Sequence, residues 1–465
     1  MTALRVRRVA GIGGPPLALA LAWCIPGAAL LWAISLWRPP TSLAEAALTL
    51  AAVVLPACAL WWVARAGQQA GLALASLAGV VVLLSDATLR PGTGGTSAGL
   101  DAQSVLKFGL WSLGLLLLFW RRQVVLAALR HPPCAALAAL VVWSLCSALW
   151  SITPAYSAAA ALALAGVWVL ATVFAAGFTR RQGTAVIALA LVGTLVASLV
   201  LYLLVPARAL TVTEGGLNLR LSGVYGSPNN LGRAAALAAL LVLMSVGALR
   251  RWQGAAVLLL ALPLCATCLL MSGNRGAALA LVGAWGVYLL AGRPWQLALA
   301  ALTLLFSVAV LALAPELRAD LAGLLSRSGR RNEITTLTGR TDIWAAVIGL
   351  IREAPLLGHG FASTRELLPA AWWTAYGWTT TSAHNLWLQV AVTTGFVGLA
   401  LLLLGQLAWA WQALHRPQPA RDAVFVFVLV IGLLESSAGG PSVNLLSFVL
   451  AWAAAPGLQE ARRHA

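Results

Sequence analysis

The chain is 465 residues long, 61% hydrophobic and only 9% charged, with a mean hydropathy of +0.89. No soluble globular domain of this length could bury so much apolar side chain, so composition points to an all-α, polytopic integral membrane protein. The net charge of +17 comes from basic residues scattered singly and in pairs between apolar spans. There is no basic stripe interleaved with exposed aromatics, which argues against nucleic acid as a partner.

In chain order, Arg5, Arg7 and Arg8 precede an apolar run from Leu17 to about Trp37. The start resembles a signal peptide, but the run is long enough to span. Leu21-Ala-Trp-Cys24 also has Trp where a lipoprotein site needs a small residue, so an uncleaved first helix with a cytoplasmic N-terminus is expected. Further stretches of spanning length follow, from residues 44–64 to 443–457; three of them are short, which predicts about 12 to 14 transmembrane helices. The six cysteines, including Cys265 and Cys268 at CxxC spacing, lie in or beside apolar spans and read as small packing residues.

With the N-terminus inside, the cytoplasmic connections collect sixteen arginines, among them Arg121, Arg122, Arg180, Arg181, Arg250 and Arg251. The shorter outer connections hold seven basic residues, among them Arg220, Arg233 and Arg275. This bias places the long polar loop, about residues 315–383, on the periplasmic or equivalent external face, with the Arg220 and Arg275 segments beside it. One integral membrane domain, residues 1–465, is expected, with the loop inserted between transmembrane helices. Many of the 21 tryptophans flank spans and read as interfacial anchors.

Three outer segments carry polar residues that a plain helical bundle does not need. The first runs from Arg220 to Arg233 and contains Asn229-Asn230; either Asn could cap the following helix, whose N-terminal amides favour an anion, although an ordinary turn would look the same. The second is Ser272-Gly-Asn-Arg275-Gly, where Arg275 either snorkels to headgroups or binds phosphate. The third is the long loop, with a basic cluster at Arg327, Arg330 and Arg331 that reads as a solvated or headgroup-facing surface. Apolar residues at Ile343, Trp344, Val347, Ile348 and Ile351 then predict an amphipathic helix lying on the membrane face, with Arg340 at its N-terminal, positive end.

His359, between two glycines, suits a structural turn. His384, in Ser382-Ala-His-Asn385, begins an apolar span at the water boundary, where an imidazole can take a proton near neutral pH, or simply cap the helix. The acidic residues outside the loop look isolated in sequence, and no Asp-x-Asp, HExxH or paired His spacing supports a metal site or any cofactor.

The segments resemble the O-antigen ligase (WaaL) family of the O-antigen ligase/polymerase superfamily. His384-Asn385, nine residues and Gly395-x-x-Gly398 fit one family signature, and Arg275 to Leu279 fits its Arg-x-x-x-Leu pattern. The stretches from Arg340 through Trp344 to Gly358-His-Gly360, and from Arg220 to Asn229, resemble the superfamily loop pattern. The resemblance implies a GT-C-like membrane glycosyltransferase, metal-independent and inverting, that moves a polysaccharide from undecaprenyl diphosphate to lipid A–core in the outer leaflet of the bacterial inner membrane. It further implies His384 as base or orienter, Arg220, Arg275 and Arg340 as diphosphate binders, and Asn229 and Asn385 in support. An O-antigen polymerase or a protein O-oligosaccharyltransferase of the same superfamily would use similar residues. A lipid-linked glycan transporter would instead need charges deep within several spans.

Overall fold

A computed structural model of the chain describes residues 70–88, 102–213, 218–246, 251–293, 340–374, 379–436 and 443–457. The expected helices before residue 70 and at 296–314, the first part of the long loop and the Arg327–Arg331 cluster lie outside the described residues. The described chain is almost wholly helical. Its helices are α1 Ala70–Ser85, α2 Ala102–Ser112, α3 Leu117–Ala128, α4 Pro132–Cys146, α5 Pro154–Gly177, α6 Arg180–Leu204, α7 Pro228–Val246, α8 Arg251–Ser272 and α9 Arg275–Leu290. After the gap come α10 Arg340–Glu353, α11 Thr364–Ala371, α12 Leu386–His415, α13 Pro419–Leu434 and α14 Leu445–Ala454. Seven helical segments among the described residues are long and apolar enough to cross a membrane, and Arg275–Leu290 and Leu445–Ala454 are shorter apolar helices. The all-α, multi-pass architecture expected from composition is what the chain forms.

Helix starts follow local chemistry. Proline opens α4, α5, α7 and α13, where its missing N–H costs nothing. Thr179 and Gln182 form a reciprocal capping box on α6. Asn274, Asn385 and Asn444 cap α9, α12 and α14, each side-chain oxygen accepting a first-turn amide. Helix α7 is buried nearly all round, from Leu231 to Val242, between α6, α8 and α9. Its alanine-rich surface lets those backbones approach closely, which is how helices associate where lipid removes the hydrophobic drive.

The sequence pattern misses one element, a small antiparallel hairpin of β1 Leu210–Thr213 and β2 Asn218–Leu221, with Thr211 opposite Arg220. Leu219 and Leu221 share one face of the strand, yet Leu221 is fully buried and Leu219 exposed, so the hairpin packs on the bundle at its base, beside Leu221. Ser222 continues the anchoring by donating through Oγ to the Ala209 carbonyl.

Helix α12 is broken at Gly395, whose φ of 68° and ψ of −173° belong to glycine alone. The turn Pro355–Gly360 fills the break. The carbonyls of Val392 and Thr393 accept from the His359 and Gly360 amides, and the Phe396 and Val397 amides donate to the Pro355 and Leu356 carbonyls. Trp143 Nε1 serves the Thr394 carbonyl. His359 Nε2 lies 2.9 Å from the Leu350 carbonyl, tying the last turns of α10 to the same knot. The structural reading of His359 therefore holds, and the knot fixes α10 against α12. A Cβ on Gly395 would stand 2.0 Å from the Leu356 oxygen. Gly395→Ala should therefore lower stability by at least the order of 1–3 kcal/mol that such backbone strain costs, before the clash is added. A thermal unfolding midpoint in detergent equal to wild type would contradict this.

Helix α10 does not lie free on the membrane face as expected. Ile343, Val347, Leu350 and Ile351 are buried in a cluster with Leu368, Ala383, Ala391 and Val392, so the apolar stripe covers the first half of α12. Ile348, on the edge of that stripe, is left exposed. The periodicity gave the helix; the exposed flank of α12 gave it a partner.

Candidate functional site

The N-terminal ends of α7, α9, α10 and α12 meet the C-terminal end of α13. Each N-terminus brings unpaired amides and the positive end of a helix dipole, so four of them together favour an anion. The hairpin adds Arg220. Its Nε donates to the Ser272 carbonyl at 2.7 Å, the last residue of α8, and its Nη2 donates to Asn229 Oδ1 at 3.0 Å. Asn229 also binds α9, because Asn274 Nδ2 donates to its carbonyl. The approach is tight: a Cβ on Gly232 would lie 2.4 Å from Asn274 Cβ.

His384 stands in the short connection that leads into α12, with a left-handed φ of 48°. That conformation costs a non-glycine residue roughly 1–2 kcal/mol, and it persists where the surroundings enforce it. Here Trp344 Nε1 donates to the Ala383 carbonyl, the Ala383 amide donates to Gln389 Oε1, and Gln389 Nε2 donates to Thr364 Oγ1. Asn385 closes the set from the other side, its Oδ1 accepting the Leu388 amide and its Nδ2 donating to the Leu433 carbonyl. Asn385 thus joins the start of α12 to the end of α13.

At the centre is Glu435, the residue just past the last turn of α13 and outside that helix. Its Oε1 accepts from Arg340 Nη2 at 2.9 Å and from Asn229 Nδ2 at 3.1 Å. Its Oε2 lies 3.2 Å from His384 Nδ1, while His384 Nε2 lies 3.2 Å from Thr380 Oγ1. Burial by itself would push the Glu435 carboxyl up. The hydrogen bond of His384, its charge when the ring is protonated, and the Arg340 guanidinium, with Arg233 further off, outweigh it and hold the group below the usual carboxylate range. Glu435 is therefore ionised at neutral pH. Side-chain exposure is 22% for His384 and 18% for Arg340 but 10% for Glu435, so anything approaching from outside meets the imidazole and guanidinium first.

The structure thus brings Arg220, Asn229, Arg340 and His384 into one hydrogen-bonded cluster. Arg275 opens α9 with an exposed side chain, and it is the preceding Asn274 that ties α9 into the cluster. Asn229 and Asn230 are not caps. Helix α7 begins at Pro228, and the two side chains instead accept from Arg220 and Arg233. Two acidic residues outside the loop are not isolated in space: Asp86 pairs with the buried Arg233 at 3.6 Å, and Glu435 pairs with Arg340 and His384. Glu435 is the member of the cluster that spacing motifs miss. Its signal was present, since an acid at the exit of an apolar stretch is expensive unless partnered. Around Glu435 the partners are guanidinium, amide and imidazole, a donor set that suits an anion rather than a metal cation.

Fold and cluster together define a multi-pass helical membrane protein with a cluster of guanidinium, amide and imidazole side chains gathered at helix ends. Residues 260–403 match the family described as O-Antigen ligase, which supports the resemblance to the O-antigen ligase/polymerase superfamily. The matched stretch runs from α8 into α12 and includes Arg275, Arg340, His384 and Asn385; Arg220, Asn229 and Glu435 fall outside it. No curated protein matches the chain.

Proposed function

We propose that this protein is a ligase-type glycosyltransferase that moves O-antigen polysaccharide from undecaprenyl diphosphate to a sugar hydroxyl of lipid A–core, on the periplasmic face of the inner membrane. The observation that carries this reading is the convergence of Arg220, Asn229, Arg340 and His384 at one set of helix ends within the superfamily's architecture. The acceptor oxygen forms a bond to the anomeric carbon from the face opposite the diphosphate. The bond from that carbon to the diphosphate oxygen breaks, its electron pair leaves with undecaprenyl diphosphate, and the acceptor's proton goes to His384. Inversion follows from the single displacement.

In this reading Arg340 and Arg220, with Arg275 at the edge, hold the diphosphate and stabilise the charge that develops as it leaves. Asn229 fixes Arg220, and Asn385 fixes the turn that presents His384. Arginines and helix N-termini supply the electrophilic assistance, so transfer should continue undiminished in EDTA without added divalent ions. A rate lost to the chelator and restored by Mg²⁺ or Mn²⁺ would contradict that part of the reading.

The decisive assay reconstitutes the purified protein with lipid-linked glycan and lipid A–core and looks for joined product. Ligation is the expected result. Elongation of the lipid-linked glycan on itself would make the protein a polymerase, and glycan joined to a protein acceptor would make it an oligosaccharyltransferase. Movement of the donor across the bilayer without joining would make it a transporter.

A further inference from the structure

We infer that Glu435 is a positioning residue that fixes His384 with its proton on Nδ1 and leaves Nε2 as the nitrogen that takes the acceptor's proton. The inference rests on the reading of His384 as the base and deepens it. It stands on geometry. Glu435 Oε2 is 3.2 Å from Nδ1, and a carboxylate at that position can only accept, so Nδ1 must donate. In the neutral ring Nε2 then carries the lone pair, and the hydroxyl oxygen of Thr380, which also reaches the Ser382 carbonyl at 3.1 Å, stands 3.2 Å from it, the place an acceptor hydroxyl would take. When Nε2 takes that proton, the ring becomes an imidazolium whose Nδ1–H still points at an anion, so the charge created in the step already has its counterion. The carboxylate–imidazole pairing that supports general bases on other folds works through the same two effects, tautomer and charge.

Two further observations separate this role from ordinary helix capping. Glu435 follows the C-terminal end of α13, where the helix dipole disfavours an anion. It is kept there by residues distant in sequence, Asn229, Arg340 and His384, all of them at the candidate site. The second oxygen, Oε1, is held by Arg340 and Asn229, so the carboxylate cannot swing away from the ring. A carboxylate bound to Arg340 also competes with an arriving diphosphate. Removing its charge should therefore not weaken donor binding.

The test uses the full chain reconstituted with lipid-linked glycan and lipid A–core, and compares Glu435→Gln and Glu435→Asp with wild type. For Glu435→Gln, kcat should fall roughly 100- to 10,000-fold, with undecaprenyl diphosphate binding unchanged or tighter. Glu435→Asp should recover part of the rate. Nitrogen NMR of histidine-labelled protein, on the alkaline side of the ring's titration and assigned with His384→Gln, should show His384 protonated on Nδ1 in wild type and a tautomer mixture in Glu435→Gln. A wild-type ring protonated on Nε2 overturns the inference without any activity measurement. So does a wild-type rate in Glu435→Gln, or a loss of rate that comes with lost donor binding, which would mark a merely structural residue. If His384→Ala itself turns over normally, the reading of His384 as base is what has failed, and this inference goes with it. If His384→Ala is inactive while Glu435→Gln is not, only the inference falls.

Discussion

Replacing His384 with alanine is expected to lower transfer by roughly 100- to 10,000-fold, the usual contribution of a positioned general base, while the protein still folds and binds donor. Folding should survive because the left-handed turn is held by backbone contacts around the residue rather than by the ring. Trp344 and Gln389 grip Ala383, and Asn385 caps α12. The left-handed φ costs alanine about what it costs any residue with a Cβ, so the substitution relieves no backbone strain there. Donor binding should survive because Arg340 and Arg220 reach the cluster from other elements. The measurement is a transfer rate in reconstituted membranes beside an undecaprenyl diphosphate binding curve. Normal turnover from a folded variant would remove His384 from the chemistry.

The second large effect is expected at the arginines. Arg220 uses two different nitrogens for two different acceptors, the Ser272 carbonyl and Asn229 Oδ1. Lysine keeps the charge but loses the planar fork, so it cannot make both bonds in that geometry. Arg340 donates directly to Glu435. Its replacement by lysine substitutes a compact, strongly hydrated point charge for a guanidinium that can bridge two phosphate oxygens. Charge-assisted hydrogen bonds contribute about 1.5–3 kcal/mol each, so Arg220→Lys and Arg340→Lys should weaken donor binding by roughly 10- to 100-fold. Arg275→Lys should cost less, because that side chain is exposed. Arg352, exposed in the last turn of α10, is the control on the same helix as Arg340. If lysine at 220 and 340 behaves like lysine at 352, the diphosphate clamp is wrong and these arginines serve the fold or the membrane surface.

Much of the candidate site could be read from the chain because its parts begin helices. Asn385 before the apolar run at Leu386, and Asn274 before the run at Ala277, are local capping signals that need no knowledge of the rest of the fold. The stripe of Ile343, Val347 and Ile351 likewise announced a helix with Arg340 at its start. Glu435 announced nothing comparable. Its partners lie 51, 95 and 206 residues away along the chain, at His384, Arg340 and Asn229, and no periodicity links positions so far apart.

The sequence by itself determined that this is a polytopic helical protein, where several of its helices start, and which basic and imidazole side chains stand at their ends. Those properties depend on hydropathy and capping, which act within a few residues. Tertiary structure alone decided that α10 covers α12 rather than the lipid surface, that a hairpin carries Arg220, and that the glycine-broken α12 is completed by the turn at Pro355–Gly360. It also decided that a single buried carboxylate gathers the arginine, the amide and the imidazole. A buried charge has no partner until the helices pack, and which helix ends meet is set by the packing of small residues along their whole length.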